Sequence, residues 1–517
     1  MGTRLIHDEL EKQAHWRPDK LAMAFEGTEY TYRAFDARVN RTVRALAELG
    51  VRTGDRVLAH GCDHVDWHTL FYACSKLGAT YCPVSTFQSP DNLSYIAGEL
   101  DPVLVCYTVN DDVRERVDVI DEAVADTRYV SLDPETDDPW LDDLVTGYDG
   151  SRPAGPDERD PERIHNVFWT SGTTGRPKGV LRDHRSSLHF ADNLINDLPF
   201  REWNTRVTTN SMMLIDAYFH YGIPTVMAGG TNVMLREFSP EALYEAHGTY
   251  DVNSLHLGFT LARLVLEHLS EHDRTLDLQY LSAVIPSANI ARELWALTDQ
   301  LHHLYGTTEI GLPLVKRLEP PFDERPSLGK PGMGAQIRVV PQGEDGIPTA
   351  PLEPGTVGEL ACRGETTMTR YMDPEIQAEK VQKGWIRPGD VVRVTEQRDI
   401  VFLGRTDDRI RSGGVNVYPG DVENVLEEHA AVENAIVVGV DDETWGERVC
   451  ALAITAEQDA DDLADALDEH CREHDGVARE MRPREYAFVA SNEAVPMGSL
   501  GKPDRDRIAE EFFDRGR

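Results

Sequence analysis

Positive charge is what this chain has least of. Lys and Arg together number 52 against 90 Asp and Glu, a formal net charge of −38 at pH 7. So acidic a surface argues against nucleic acid or anionic membrane as a partner, since both carry the same sign. Lys is scarce beside Arg, and the acid is spread along the chain. That pattern fits adaptation to concentrated salt, where self-repulsion is screened. Long apolar runs are also missing. None reaches the roughly 18 residues that a membrane span requires. The opening MGTRLIHDELEKQ has no apolar signal-peptide core, and Ile6 stands where a myristoylation site needs Ser or Thr. The seven cysteines, Cys62, Cys74, Cys82, Cys106, Cys362, Cys450 and Cys471, form no C-x-x-C pair. Most sit in apolar surroundings such as TYCPV, so buried free thiols in a reducing cytoplasm are expected, not a disulfide framework or a metal site. Internal repeats are absent from the sequence.

What is there points to a large α/β chain. With 517 residues and 40% hydrophobic content, about three units of ~150 residues are expected. The 31–50 stretch reads as an amphipathic helix with Thr31 as its cap, Phe35, Val39, Val43 and Leu46 on one face, and Gly50 to end it. Residues 56–60 read as a strand, 65–77 as a helix and 80–84 as a second strand. The same rhythm continues through 102–107, predicting a largely parallel α/β sheet. Residues 132–160 are rich in Asp, Pro and Gly and read as a loop or linker. Beyond 180, strands are expected at 225–235 and 254–256, and a helix at 260–269.

One stretch carries chemistry on its face. Val167, Phe168 and Trp169 read as a buried strand, and TSGTTGRPKG follows at 170–179. Ser171, Gly172, Thr173, Thr174 and Gly175 leave the backbone unencumbered, and successive N–H groups on such a turn form a concavity for anions. Thr and Ser hydroxyls add donors, and Lys178 adds a mobile positive charge. This equipment suits a polyphosphate, yet the spacing is not that of a P-loop, because Pro177 takes the place of the second Gly. A plain Ser/Thr/Gly surface turn is the alternative.

The string resembles the phosphate-loop signature of the adenylate-forming superfamily, which includes acyl- and aryl-CoA synthetases, luciferases and the adenylation domains of peptide synthetases. Further motifs follow in the order of that family. Tyr305, Gly306, Thr307, Thr308 and Glu309 match its YGxTE motif; the ring can stack on a purine, Thr can bond the α-phosphate and the carboxylate can hold Mg²⁺. In 384–390, GWIRPGD, Pro388 departs from the usual Thr, but Gly389 and Asp390 remain, and Asp390 is the candidate acceptor for the ribose hydroxyls. In GRTDDRIRSGG, Arg405 would approach ribose or phosphate, and Asp407 matches the hinge about which a small domain swings. Near the C-terminus, VPMGSLGKPDRDRI resembles the segment carrying the catalytic lysine, here Lys502.

The resemblance covers about residues 20–510. It implies a large N-terminal α/β domain over 1–406, with parallel sheets and a small β-rich region, and a small mobile α+β domain over 407–517. It implies ATP, Mg²⁺ and coenzyme A, with Lys502, Thr308 and Glu309 catalytic, Glu309 on the metal, and Thr170, Ser171, Gly172, Thr173, Thr174, Gly175, Lys178, Tyr305, Gly306, Thr307, Asp390 and Arg405 around the nucleotide. The partner would be a small carboxylic acid of unspecified chain. Other acceptors, an amine or a carrier protein, stay open, as do a non-catalytic nucleotide-binding role and the oligomeric state, a homodimer included. In SMMLIDAYFHYGIP, Asp216 and His220 stand near the place where many relatives carry a His. His220 reads as a packed residue, not a base.

Overall fold

The computed structural model describes residues 4–134, 136–153, 159–170, 176–285, 288–322, 326–341, 344, 346–350, 352–455, 460–474, 477–491, 494–497 and 503–513. The first large sheet has seven strands among the described residues. Arg56–His60 lies parallel to both Thr80–Val84 and Leu104–Tyr107, as the alternation of short apolar runs with amphipathic helices requires. Helix Tyr32–Glu48 is capped by the Thr31 side chain, which accepts from Ala34 N at 3.2 Å. Its buried face includes Phe35, Val39, Val43 and Leu46.

The second sheet has nine strands among the described residues. Thr205–Thr208, Thr231–Met234, Ser254–Leu257, Tyr280–Ala283 and Leu301–Thr307 run parallel along it, and Gly311–Leu318 turns back antiparallel beside Leu301–Thr307. Aromatic side chains fill the space shared with the first sheet. Phe71 and Tyr218 stack at 4.6 Å between centroids, and the hydroxyls of Tyr81 and Tyr218 lie 2.6 Å apart, so the buried polar tips satisfy each other.

Two expectations need correction. The 225–235 stretch is not one strand: helix Ile223–Ala228 ends at Gly229, which adopts φ +79, and the strand begins at Thr231. A left-handed glycine between two apolar runs is a helix stop, and the run of β-branched residues concealed it. The acidic 132–160 stretch contains a short helix, Leu141–Thr146, that buries Leu141 and Val145.

A third sheet, six-stranded among the described residues, includes Val357–Gly364, Asp390–Val394 and Ile400–Arg405 in antiparallel array, the small β-rich region expected. The C-terminal domain has five strands among the described residues, including Asn434–Asp442, Gly446–Ile454 and Glu485–Val489. Helix Ala460–Glu473 packs Leu463, Leu467 and Cys471 into its own core. Six of the seven thiols are buried, Cys62 is partly so, and all are free. No described helix is long and apolar enough to cross a membrane.

Candidate active site

Thr170 closes strand Ile164–Thr170 and pairs with Lys178, the first residue of strand Lys178–Asp183. Ser171, Gly172, Thr173, Thr174 and Gly175, which lie between them in the sequence, and Lys502 fall outside the described residues. Thr170 Oγ1 is buried without a hydrogen-bond partner among the described residues. Lys178 is 8% exposed. Burial lowers the pKa of its ammonium and Lys380 adds to that, while Glu309, Glu379 and Asp407 act in the opposite sense. A partly desolvated cation beside an orphaned hydroxyl suits an anionic ligand.

Residues 305–309 run from the end of strand Leu301–Thr307 into the turn before Gly311–Leu318. Gly306 is required there: a Cβ would stand 2.1 Å from Gly311 O and 3.1 Å from the Leu312 Cα. Thr307 Oγ1 accepts from the N–H groups of Glu309, at 3.3 Å, and Ile310, at 3.4 Å, so this hydroxyl folds the turn. Glu309 O accepts from Met368 N at 2.7 Å, and its Oε1 accepts from the Tyr371 hydroxyl at 3.4 Å.

Tyr305 donates its hydroxyl to Asp390 Oδ2. Arg405 Nη1 donates to Asp390 Oδ1 at 3.2 Å, and its Nη2 donates to Pro388 O at 3.0 Å. Asp390 is 3% exposed. Its carboxylate is therefore engaged on both oxygens, and a ligand hydroxyl reaching it would have to share or replace one of these donors. Asp407 is exposed, and its charge is felt by both Lys178 and Arg405. Lys178, Tyr305, Glu309, Asp390, Arg405 and Asp407 are thus brought to one corner of the molecule.

Asp216 precedes the π-helix Ala217–Gly222. His220 Nδ1 lies 3.0 Å from Asp216 Oδ1. The ring is buried 4.5 Å from His256 and 5.8 Å from Phe190 between centroids. A short π-helical turn is a strained insertion that tends to mark functional sites.

Among the described residues no group of three His, Cys, Asp or Glu is placed to hold a metal ion. A divalent cation at Glu309 would draw its other ligands from phosphate and water, which is the habit of Mg²⁺. The residues present fit that mode, with a single carboxylate near the cationic Lys178.

Sequence reasoning missed Arg182, Thr366 and Tyr371, which surround Glu309. Arg182 had one readable signal: an Arg two residues beyond Val180 shares its face of the strand, where alternation expects an apolar side chain.

Family models match most of the chain: AMP-binding enzyme over residues 10–372, and AMP-binding enzyme C-terminal domain over 421–502. An indoleacetate–CoA ligase of Aromatoleum aromaticum is 26% identical over 97% of each chain. A fatty acid–[acyl-carrier-protein] ligase of Streptomyces coeruleorubidus is 28% identical over 99% of this chain and 98% of its own. The anthranilate CoA ligase AuaEII, solved with anthranoyl-AMP, superposes with a TM-score of 0.87 over 99% of both chains at 22% identity. With both domain models in sequence order and the matching large and small folded units, this chain belongs to the AMP-binding enzymes of the adenylate-forming superfamily.

Proposed function

We propose that the protein is an AMP-forming acid–CoA ligase. In the first step a carboxylate oxygen attacks the α-phosphorus of MgATP. The bond to the β-phosphate oxygen breaks, and pyrophosphate leaves with its electron pair. In the second step the thiolate of coenzyme A attacks the acyl carbon, and AMP leaves. The observation that carries this reading is the meeting of Lys178, Glu309 and the Tyr305–Asp390–Arg405 triad in one corner.

The parts take distinct roles. Lys178 and the 171–175 backbone hold the outer phosphates. Thr308 donates to the α-phosphate, and Lys502 adds an ammonium where negative charge gathers during attack. Preorganised donors of this kind supply most of the rate in phosphoryl chemistry. Mg²⁺ on Glu309 would neutralise phosphate charge. Tyr305 offers its ring to the purine, and Asp390 with Arg405 takes the ribose. We further infer that the domain boundary falls at 406/407, that Asp407 is the hinge between the two steps, and that the enzyme works in a reducing, salt-rich cytoplasm. The free thiols and the net charge of −38 support that setting.

The acceptor is the finer part of the reading. The carrier-protein ligase among the relatives favours a second acceptor, a phosphopantetheine thiol on a protein. AMP formation with each of several carboxylic acids, with and without coenzyme A, separates the two. A rise in AMP on adding coenzyme A supports the ligase; release of pyrophosphate indifferent to coenzyme A sinks that acceptor.

A further inference from the structure

Arg182 is an arginine whose burial needs a reason. Its side chain is 0% exposed in strand Lys178–Asp183, and the carboxylates of Glu309 and Asp183 act on its charge. Burial lowers its pKa to about 10, so it keeps its charge at neutral pH. A buried charge is costly unless hydrogen bonds replace its water. Carbonyl oxygens do so here. Nη2 and Nε donate to Thr308 O at 2.8 and 3.3 Å, and Nη1 donates to Thr366 O at 2.8 Å. The guanidinium lies over Phe190 at 5.7 Å and Phe219 at 5.5 Å.

These two carbonyls belong to the two stretches that hold Glu309. Thr308 precedes it. The other stretch contributes Met368 N–H to Glu309 O, Thr366 Oγ1 to Ile310 O at 3.4 Å, and the Tyr371 hydroxyl to the Glu309 carboxylate. A peptide plane gripped twice at its oxygen cannot rotate freely, so the Thr308 side chain and the Glu309 N–H keep their directions. A planar fork with several donors can span both carbonyls at once, whereas a lysine ammonium is a point charge on a flexible stem.

We propose that Arg182 is a positioning residue for the adenylation step, fixing the Thr308–Glu309 peptide and so aiming the Thr308 hydroxyl and the Glu309 carboxylate at the phosphates and their metal. The proposal rests on the adenylating function proposed above; the positioning itself can be read without it.

Hydrogen exchange in the free protein tests the positioning. In Arg182→Met, amides in 305–312 should exchange about tenfold faster or more, while the Asn434–Asp442 strand of the C-terminal domain keeps its protection. Arg182→Lys, which keeps the charge but not the fork, should fall between, and it serves as the reading if the Met variant does not fold. Labelled pyrophosphate exchange into ATP, titrated with Mg²⁺, tests the consequence. The half-saturating Mg²⁺ should rise about tenfold in Arg182→Met, with partial recovery in Arg182→Lys. Unchanged exchange at 305–312 in the Lys variant, or faster exchange spread evenly over the chain, overturns the proposal. Local loosening in a protein whose wild type exchanges no pyrophosphate would uphold the positioning and reject the adenylating function instead.

Discussion

Around Thr308 the chain is fixed largely through its backbone: Arg182 grips Thr308 O, and Met368 N–H grips Glu309 O. Around Asp390 the contacts join side-chain tips, the Tyr305 hydroxyl and the Arg405 guanidinium meeting one carboxylate. The first arrangement is buried and its acceptors are main-chain carbonyls, so no ligand hydroxyl can take a place in it without the backbone moving. The second can, because each donor is on a rotatable side chain and a ligand hydroxyl can take its place. In the proposed enzyme the phosphate end needs donors held still while charge develops. The ribose end needs only to admit and release a sugar. The difference in wiring matches that difference in duty.

The largest effect should come from the phosphate end. Lys502→Ala should slow adenylation about a hundredfold or more, as loss of one transition-state donor does, and leave thioester formation from preformed adenylate nearly intact. Pyrophosphate exchange and a single-turnover thioester assay measure the two separately; near wild-type exchange would remove Lys502 from its role. At the ribose end, Asp390→Ala should raise the KM for ATP about tenfold to a hundredfold, the worth of a charged hydrogen bond, with a smaller change in kcat. Tyr305→Phe removes one donor from that carboxylate and should raise the same KM only about fivefold. If it matched Asp390→Ala, the ribose end would be as rigidly wired as the phosphate end.

Fold stability sharpens the contrast between buried and exposed charge. Burial holds His60 near a pKa of about 4, and His68 and His165 near about 3. Each stays neutral in the native state while its unfolded counterpart protonates near 6.5. Unfolded chains then bind more protons, so stability present above about 6.5 is lost as pH falls towards 4, at about 1.4 kcal/mol per pH unit per group. His7, held near about 3, and His302, near about 4, add to that loss, while Asp63, pushed up to about 7 by burial, and the raised carboxyls of Asp197 and Glu267 oppose it. Denaturant unfolding at pH 7 and pH 5 should show a net loss at the lower pH. The exposed acid gives the smallest and most distributed effect: the midpoint for thermal unfolding should rise between low salt and molar KCl as repulsion is screened, and equal midpoints would reject salt adaptation.

Much of the fold was legible because periodicity and caps agree. Thr31 and the strand 56–60 announce themselves locally. Helix Ile223–Ala228 was hidden because apolar, β-branched residues serve a short buried helix as well as a strand. In the site, motifs exposed Lys178, Tyr305, Thr308, Glu309 and Asp390. Thr366 and Tyr371 stayed invisible, and Arg182 showed only as a charge on an apolar strand face, because their roles arise from tertiary contacts at sequence separations of 126 between Arg182 and Thr308, 56 between Thr366 and Ile310, and 62 between Tyr371 and Glu309. No local pattern encodes such meetings.

Labelled pyrophosphate exchange into ATP, run across alkyl, aryl and dicarboxylic acids with Mg²⁺ present, tests the central claim most directly. At least one acid class should drive exchange well above the acid-free rate, with loss of that exchange on removing Mg²⁺. Absence of acid-dependent exchange across all three classes, in protein that binds ATP, would contradict an adenylating enzyme.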